Sequence, residues 1–186
     1  MKVIHGDGIS AASLTAVVEQ AHRQKMTVAV HVRDQQNIQE VIDAGVDSIE
    51  HGDGVTDRQL EEMRDKGIFF DITPLMREKV YSPAWLSAEF RGRRVPRDDW
   101  GRKTSAALVQ KVLKSAVKFS AGSDMYLYFA GKTRGEASAT MFTELSREGM
   151  PSVDIIRAVT VNAAEMLGWQ DRIGTTNPAS LRTSSR

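Results

Sequence analysis

The sequence predicts an α/β fold built on a parallel sheet, and three observations carry that expectation. Short β-branched runs alternate with longer stretches whose apolar residues recur at three- and four-residue spacing, in steps of about twenty residues. The short runs are apolar at successive positions, which suits strands buried on both faces. The stretches between them have the length that a right-handed crossover between parallel strands requires.

Taken in order, residues 10–25 place Leu14, Val17, Val18 and Ala21 on one helical face, with Ser10 positioned to cap it. Residues 27–32 run Thr-Val-Ala-Val-His-Val, a strand. Asp34 opens a second helix carrying Ile38, Val41 and Ile42, and Gly45 ends it. A strand over 46–50 follows. Thr56 with Gln59 resembles a capping box, heading a helix through Leu60 and Met63 that stops at Gly67. Residues 68–73 form a third strand, 105–116 a helix and 117–123 a fourth strand. Helices are expected over 137–147, 152–161 and 162–167. An insertion over 74–103, rich in Arg, Pro and aromatic residues, reads as an active-site cover or a disordered loop. Residues 175–186 are rich in Thr, Ser and Arg, have no period and read as a tail.

The 186 residues suffice for one domain or most of one. With 25 Lys plus Arg against 24 Asp plus Glu, bulk charge gives no case for a nucleic-acid or membrane partner. The absence of cysteine excludes disulfide scaffolds, zinc ribbons and thiolate chemistry, and points to the cytoplasm. No stretch approaches the ~18 apolar residues of a membrane span. Lys2, His5, Asp7 and Glu19 break any signal-peptide pattern near the start. The hydrophobic fraction of 41% is a little low, which hints that part of the core lies elsewhere.

In a parallel sheet, chemistry gathers where strands end and the βα loops begin. Three of the four expected strands end on a possible metal ligand: His31, His51 and Asp124. Imidazole and carboxylate together suit Zn²⁺ or a similar first-row ion. One histidine at such a place is an ordinary loop residue, but three ligand types at equivalent strand ends make a pattern. His22 is expected on a solvated helix face and His5 in an early turn.

The segments Val-Ala-Val-His31, Ser-Ile-Glu-His51-Gly52 and Ser-Ala-Gly-Ser-Asp124, with the stretch Ile156 to Gly168, resemble the amidohydrolase superfamily. The likeness is to its imidazolonepropionase-like and Xaa-Pro dipeptidase (prolidase-like) branch, and it covers about residues 1–174. The resemblance implies a (β/α)₈ TIM-type barrel with one or two zinc or other divalent ions at its C-terminal face. It implies His31 and His51 as ligands of the second metal, on strands five and six. Asp124, on strand eight, is implied as ligand of the first metal and general base. Lys2 falls, by counting back, where many members carry a carboxylated lysine that bridges both ions; as a plain lysine it would simply be an N-terminal surface residue. The implied reaction is hydrolysis of C–N bonds, in dipeptides, small amides or cyclic amides. A metal-bound water loses its proton near neutral pH, and a neighbouring carboxylate passes that proton to the leaving nitrogen.

Two departures from the family qualify this. No His-x-His occurs, although that pair supplies two ligands of the first metal. A barrel of this type needs ~250 residues, so the expectation is an incomplete barrel: strands four or five to eight with C-terminal helices over 1–174. The tail departs too. Relatives continue Gly-Thr-Ile-Glu-Pro-Gly-Lys-Leu-Ala-Asp, and one base lost from a frame encoding that run yields Thr-Asn-Pro-Ala-Ser-Leu-Arg, the sequence after Thr175. Residues 176–186 are therefore expected to be a frameshift product. The chain alone is expected to be inactive and to form a homo-oligomer through exposed barrel edges. The alternatives are a non-catalytic, self-associating half-barrel, and a doubly wound phosphate-binding domain. The latter has only His5-Gly6-Asp7-Gly8 in its favour, a weak match to a phosphate loop. Arg91, Arg93 and Arg94 stand as candidates to meet a substrate carboxylate or as a solvated basic loop. Tyr126 and Tyr128 stand as pocket-lining or packing residues.

Overall fold

The computed structural model describes residues 1–6, 8–74, 99–125 and 132–176. Most of the insertion and of the tail lies outside these, as do Arg91, Arg93, Arg94, Tyr126 and Tyr128. The described elements run β1 (Lys2–Ile4), α1 (Ala11–Arg23), β2 (Ala29–Val32), α2 (Gln35–Asp43), β3 (Ser48–His51), α3 (Asp57–Lys66) and β4 (Phe69–Ile72). They continue with α4 (Asp99–Ser115), β5 (Phe119–Ala121), α5 (Arg134–Arg147), α6 (Ser152–Val159) and α7 (Val161–Met166).

Local chemistry starts three helices at the expected Ser10, Asp34 and Thr56, and a fourth at Thr133, ahead of the start expected at 137. Ser10, Asp34, Thr56 and Thr133 each accept a hydrogen bond from the backbone N–H three residues on. Thr56 with Gln59 and Thr133 with Glu136 close complete capping boxes. Each such cap stabilises its helix by about 1 kcal/mol.

The sheet order is β1-β2-β3-β4-β5, and every neighbouring pair is parallel. This is the parallel α/β architecture expected. Sequential order without reversal is how a βα barrel grows, whereas a doubly wound sheet needs a point where the order turns back. The described strands have no such point. Register sets two rows across the sheet. Val3, Val30, Ile49, Phe70 and Phe119 line up on one face. With Leu14, Val18, Ile38, Val41, Ile42, Leu60 and Met63 from the covering helices they make the core. Ile4, His31, Glu50, Asp71 and Ser120 line up on the opposite face.

One strand lies outside the elements expected in order along the sequence. β1 went unrecognised as a strand because Met-Lys-Val-Ile is short and polar on one side, with Lys2 and Ile4 both exposed. His5, in the connection after β1, is buried, and its Nε2 lies 3.0 Å from Glu40 Oε2. His22 is exposed on α1 as expected, and its Nε2 lies 2.8 Å from Asp47 Oδ2, just before β3. No described helix is long and apolar enough to cross a membrane.

Candidate functional site

A parallel sheet delivers every strand's C-terminus to the same end, so residues far apart in sequence meet there. Alternation along β2 turns His31 to the polar face while Val30 and Val32 enter the core. β3 ends on His51, whose φ of +71° carries the backbone into the left-handed region at the strand end. The φ of Asp124, beyond β5, is +44°. Left-handed geometry costs a non-glycine residue about 1 kcal/mol, and such positions cluster at functional sites.

The structure brings three of the four candidate residues together. The His31 and His51 rings meet edge to face with centroids 4.2 Å apart. His51 Nε2 lies 3.8 Å from Asp124 Oδ2. Lys2, on β1, is engaged instead by Glu50 on β3, in an ion pair that spans β2. Among the described residues no group of three or more His, Asp or Glu side chains is gathered closely enough to hold a metal ion.

Electrostatics prepare the two rings alike. Burial lowers the His51 pKa to about 4, and the Arg33 guanidinium and His31 push it the same way. Burial, then Arg33, then Lys2 lower that of His31. Both imidazoles are therefore neutral near pH 7, the form in which a ring nitrogen ligates a metal. Burial also lowers the Lys2 pKa, against the attraction of Asp124 and Asp71. Burial raises that of Asp71, opposed by the hydrogen bond that Ser120 Oγ donates to its Oδ1 at 2.5 Å. Measured against a divalent ion, the neutral imidazole pair fits, with a carboxylate at its edge. The described residues do not gather a full ligand shell.

Four polar residues of this end were missed from sequence. Glu50 and Asp71 share the row of His31, and Asp71 interrupts an otherwise apolar strand, a signal open to reading. Arg33 and Asp53 form an ion pair, each two residues beyond a candidate histidine.

Residues 4–178 match the profile of the amidohydrolase family. Ochratoxinase of Aspergillus niger is 26% identical over 166 residues, covering 87% of this chain and 32% of that protein. The chain thus spans about a third of the length of that curated relative. A crystal structure of an amidohydrolase aligns with a TM-score of 0.75 at 20% identity, over 97% of this chain and 45% of that one. A prolidase complexed with N-methylphosphonate-L-proline aligns at 0.71 and 20% identity, over 92% of this chain and 40% of that one. A Xaa-Pro dipeptidase with bound methionine aligns at 0.66 and 22% identity, over 94% and 45% respectively. These structures share the fold, and the five strands described here correspond to under half of each. With the sequential parallel sheet and a profile match along most of its length, the chain belongs to the amidohydrolase family.

Proposed function

We propose that this chain carries part of a metal-dependent amidohydrolase centre that hydrolyses C–N bonds in amides, dipeptides or cyclic amides. The observation that supports it best is the contact of the His31 and His51 rings, 4.2 Å apart at adjacent strand ends. Two neutral imidazoles so placed are a ligand pair for zinc or a similar divalent ion. In this reading His31 and His51, with carboxylated Lys2, would hold the ion of the second-metal position, and Asp124 would be a ligand of the first metal. A bound zinc ion supplies a water that deprotonates near neutral pH and a charge that polarises the scissile carbonyl.

The remaining work falls to the chain. His31 and His51 present unprotonated ring nitrogens because burial and Arg33 disfavour their charged forms. Asp124 Oδ2 stands 3.8 Å from His51 Nε2, where it accepts the proton from the attacking water and returns it to the leaving nitrogen. Small-molecule or dipeptide substrates suit the prolidase and dipeptidase relatives. The cysteine-free sequence suits a cytoplasmic setting.

The sequence holds no His-x-His, so the ligand pair of the first metal is missing and the chain alone is at most a trace hydrolase. A loss of ~4 kcal/mol of barrier stabilisation is about a thousandfold in rate. The test supplies zinc and compares the chain with a chimera carrying the His-x-His strand of a relative, on dipeptides and cyclic amides. The chimera is expected to turn over and its Asp124→Asn variant to fail. A chimera without activity would contradict the hydrolase reading. Robust turnover by the chain itself, lost in Asp124→Asn, would contradict an incomplete site.

A second reading, self-association, rests on the exposed edge strand β1, where Ile4 is 68% exposed. Unpaired strand edges template pairing with another copy. Sedimentation is expected to show dimers or larger species; a compact monomer at micromolar concentration would sink this.

A further inference from the structure

β4 and β5 are joined through side chains as well as backbone. Asp71 and Ser120 stand opposite each other in register, and Ser120 Oγ donates to Asp71 Oδ1 at 2.5 Å. The same hydroxyl lies 3.1 Å from Met166 Sδ on α7, but its single proton goes to the carboxylate, the stronger acceptor. The other carboxylate oxygen rests against the exit of β5: a Cβ on Gly122 would come within 3.0 Å of Asp71 Oδ2. Gly122 N–H donates to Ile72 O at 3.0 Å, and among the described residues this is the last backbone hydrogen bond that holds the chain leaving β5. Asp124 follows two residues later, with its φ of +44° and its Oδ2 3.8 Å from His51 Nε2.

Joining two strands does not call for a carboxylate. Phe69, Phe70 and Ile72 fill the rest of β4. A β-branched residue at position 71 would pair with β5 without the cost of desolvating a charged group. What the carboxylate adds is direction. Its two oxygens meet residues 120 and 122 of one strand, which fixes where β5 ends and the left-handed step to Asp124 begins. A non-glycine residue persists in that region only where its surroundings over-determine it.

We propose that Asp71 is a positioning residue for Asp124: through Ser120 and Gly122 it sets the exit of β5 so that the Asp124 carboxylate faces His51. This rests on the reading above, in which Asp124 is the base, and adds to it a residue that acts only through another. Misplacing a reacting carboxylate by about 1 Å costs on the order of a hundredfold in rate.

The test is read in the full chain, at one neutral pH, as the nitrogen resonance of His51 Nε2, with Asp124→Asn as the reference for loss of the neighbouring carboxylate. Asp71→Val is expected to move that resonance in the direction of Asp124→Asn and by a comparable amount, with no loss of stability in urea. Ser120→Ala is expected to move it the same way, while Asp71→Asn, which keeps an oxygen for Ser120, stays near wild type. Gly122→Ala, which presses on the carboxylate, is expected to move it partway and to add nothing in the Asp71→Val background. A resonance unmoved in folded Asp71→Val or Ser120→Ala overturns the proposal. So does Gly122→Ala acting equally in both backgrounds, or Asp124→Asn leaving the resonance in place. In the His-x-His chimera, Asp71→Val is expected to lower kcat by up to about a hundredfold with KM unchanged; a change in KM alone overturns the assignment. Zinc uptake on the same full-chain samples separates the two readings. It is expected to be equal in wild type and Asp71→Val, and weaker uptake in the variant would make Asp71 a ligand rather than a positioning residue. Failure of wild type to bind zinc overturns the metal centre, whereas zinc bound with an unmoved resonance overturns only the role of Asp71.

Discussion

The two faces of the sheet are made from alternate residues of the same five strands, yet they do opposite things. On one, Val30, Ile49 and Phe70 are fully buried under the helices, with Val3 and Phe119 packed at the margins. On the other, His31, Glu50, Asp71 and Ser120 occupy the next row, and their partners are charges and hydrogen bonds rather than packing. Burying a large apolar side chain contributes about 1.5–3 kcal/mol, whereas a part-exposed ion pair contributes about 0–1 kcal/mol. The period of two therefore divides labour: the apolar row holds the fold, and the polar row is free to carry chemistry.

Substitutions in each row sharpen that division. Phe70→Ala, at a fully buried ring in the middle of the sheet, is expected to lose about 3–5 kcal/mol in urea unfolding. A loss below 1 kcal/mol would mean the apolar row is not what holds the sheet.

The rows meet behind His51. Gly52 has a φ of +57°, and a Cβ there would lie 2.7 Å from Phe70 Cζ. Gly52→Ala is expected to cost about 2–3 kcal/mol, combining left-handed strain with overpacking. Unchanged stability in that variant would show that the turn is loosely held.

Acid should separate the faces next. Unfolded His51 binds a proton below about pH 6.5, while the folded ring refuses it until about pH 4. Between those values the unfolded chain holds more protons, so stability falls as pH drops, and the loss levels off below pH 4. Allowing for solvent at the rim, the loss is about 2 kcal/mol. His31 is shifted in the same direction. Urea titrations from pH 7.5 to 4.5 are expected to show a smaller loss in His51→Gln than in wild type. Parallel curves would remove His51 as the cause.

The smallest effect is expected at Glu50. Its partner Lys2 is 48% exposed, so Glu50→Gln should change stability by less than about 1 kcal/mol. A loss comparable to Phe70→Ala would break the contrast between the rows.

Legibility in the sequence follows the same physics. α1, α2 and α3 could be read because cap, apolar face and stop signal agree within each segment. β1 could not, because a three-residue edge strand has too few residues to show a pattern. That His31, His51 and Asp124 come near one another was legible because parallel strands deliver their ends to one place whatever the exact register. The partners of that site were not, since Lys2 with Glu50 depends on pairing across two strands and Arg33 with Asp53 on the course of two turns. Asp71 is a carboxylate within Phe-Phe-Asp-Ile, and only the strand register shows Ser120 beside it.

The claim that His31 and His51 form a metal centre is tested most directly by zinc titration of wild type and of a His31→Ala/His51→Ala variant in a calorimeter. The account predicts that wild type binds zinc and that the double variant binds it at least about a hundredfold more weakly while remaining folded. Equal zinc uptake by the two proteins would contradict it.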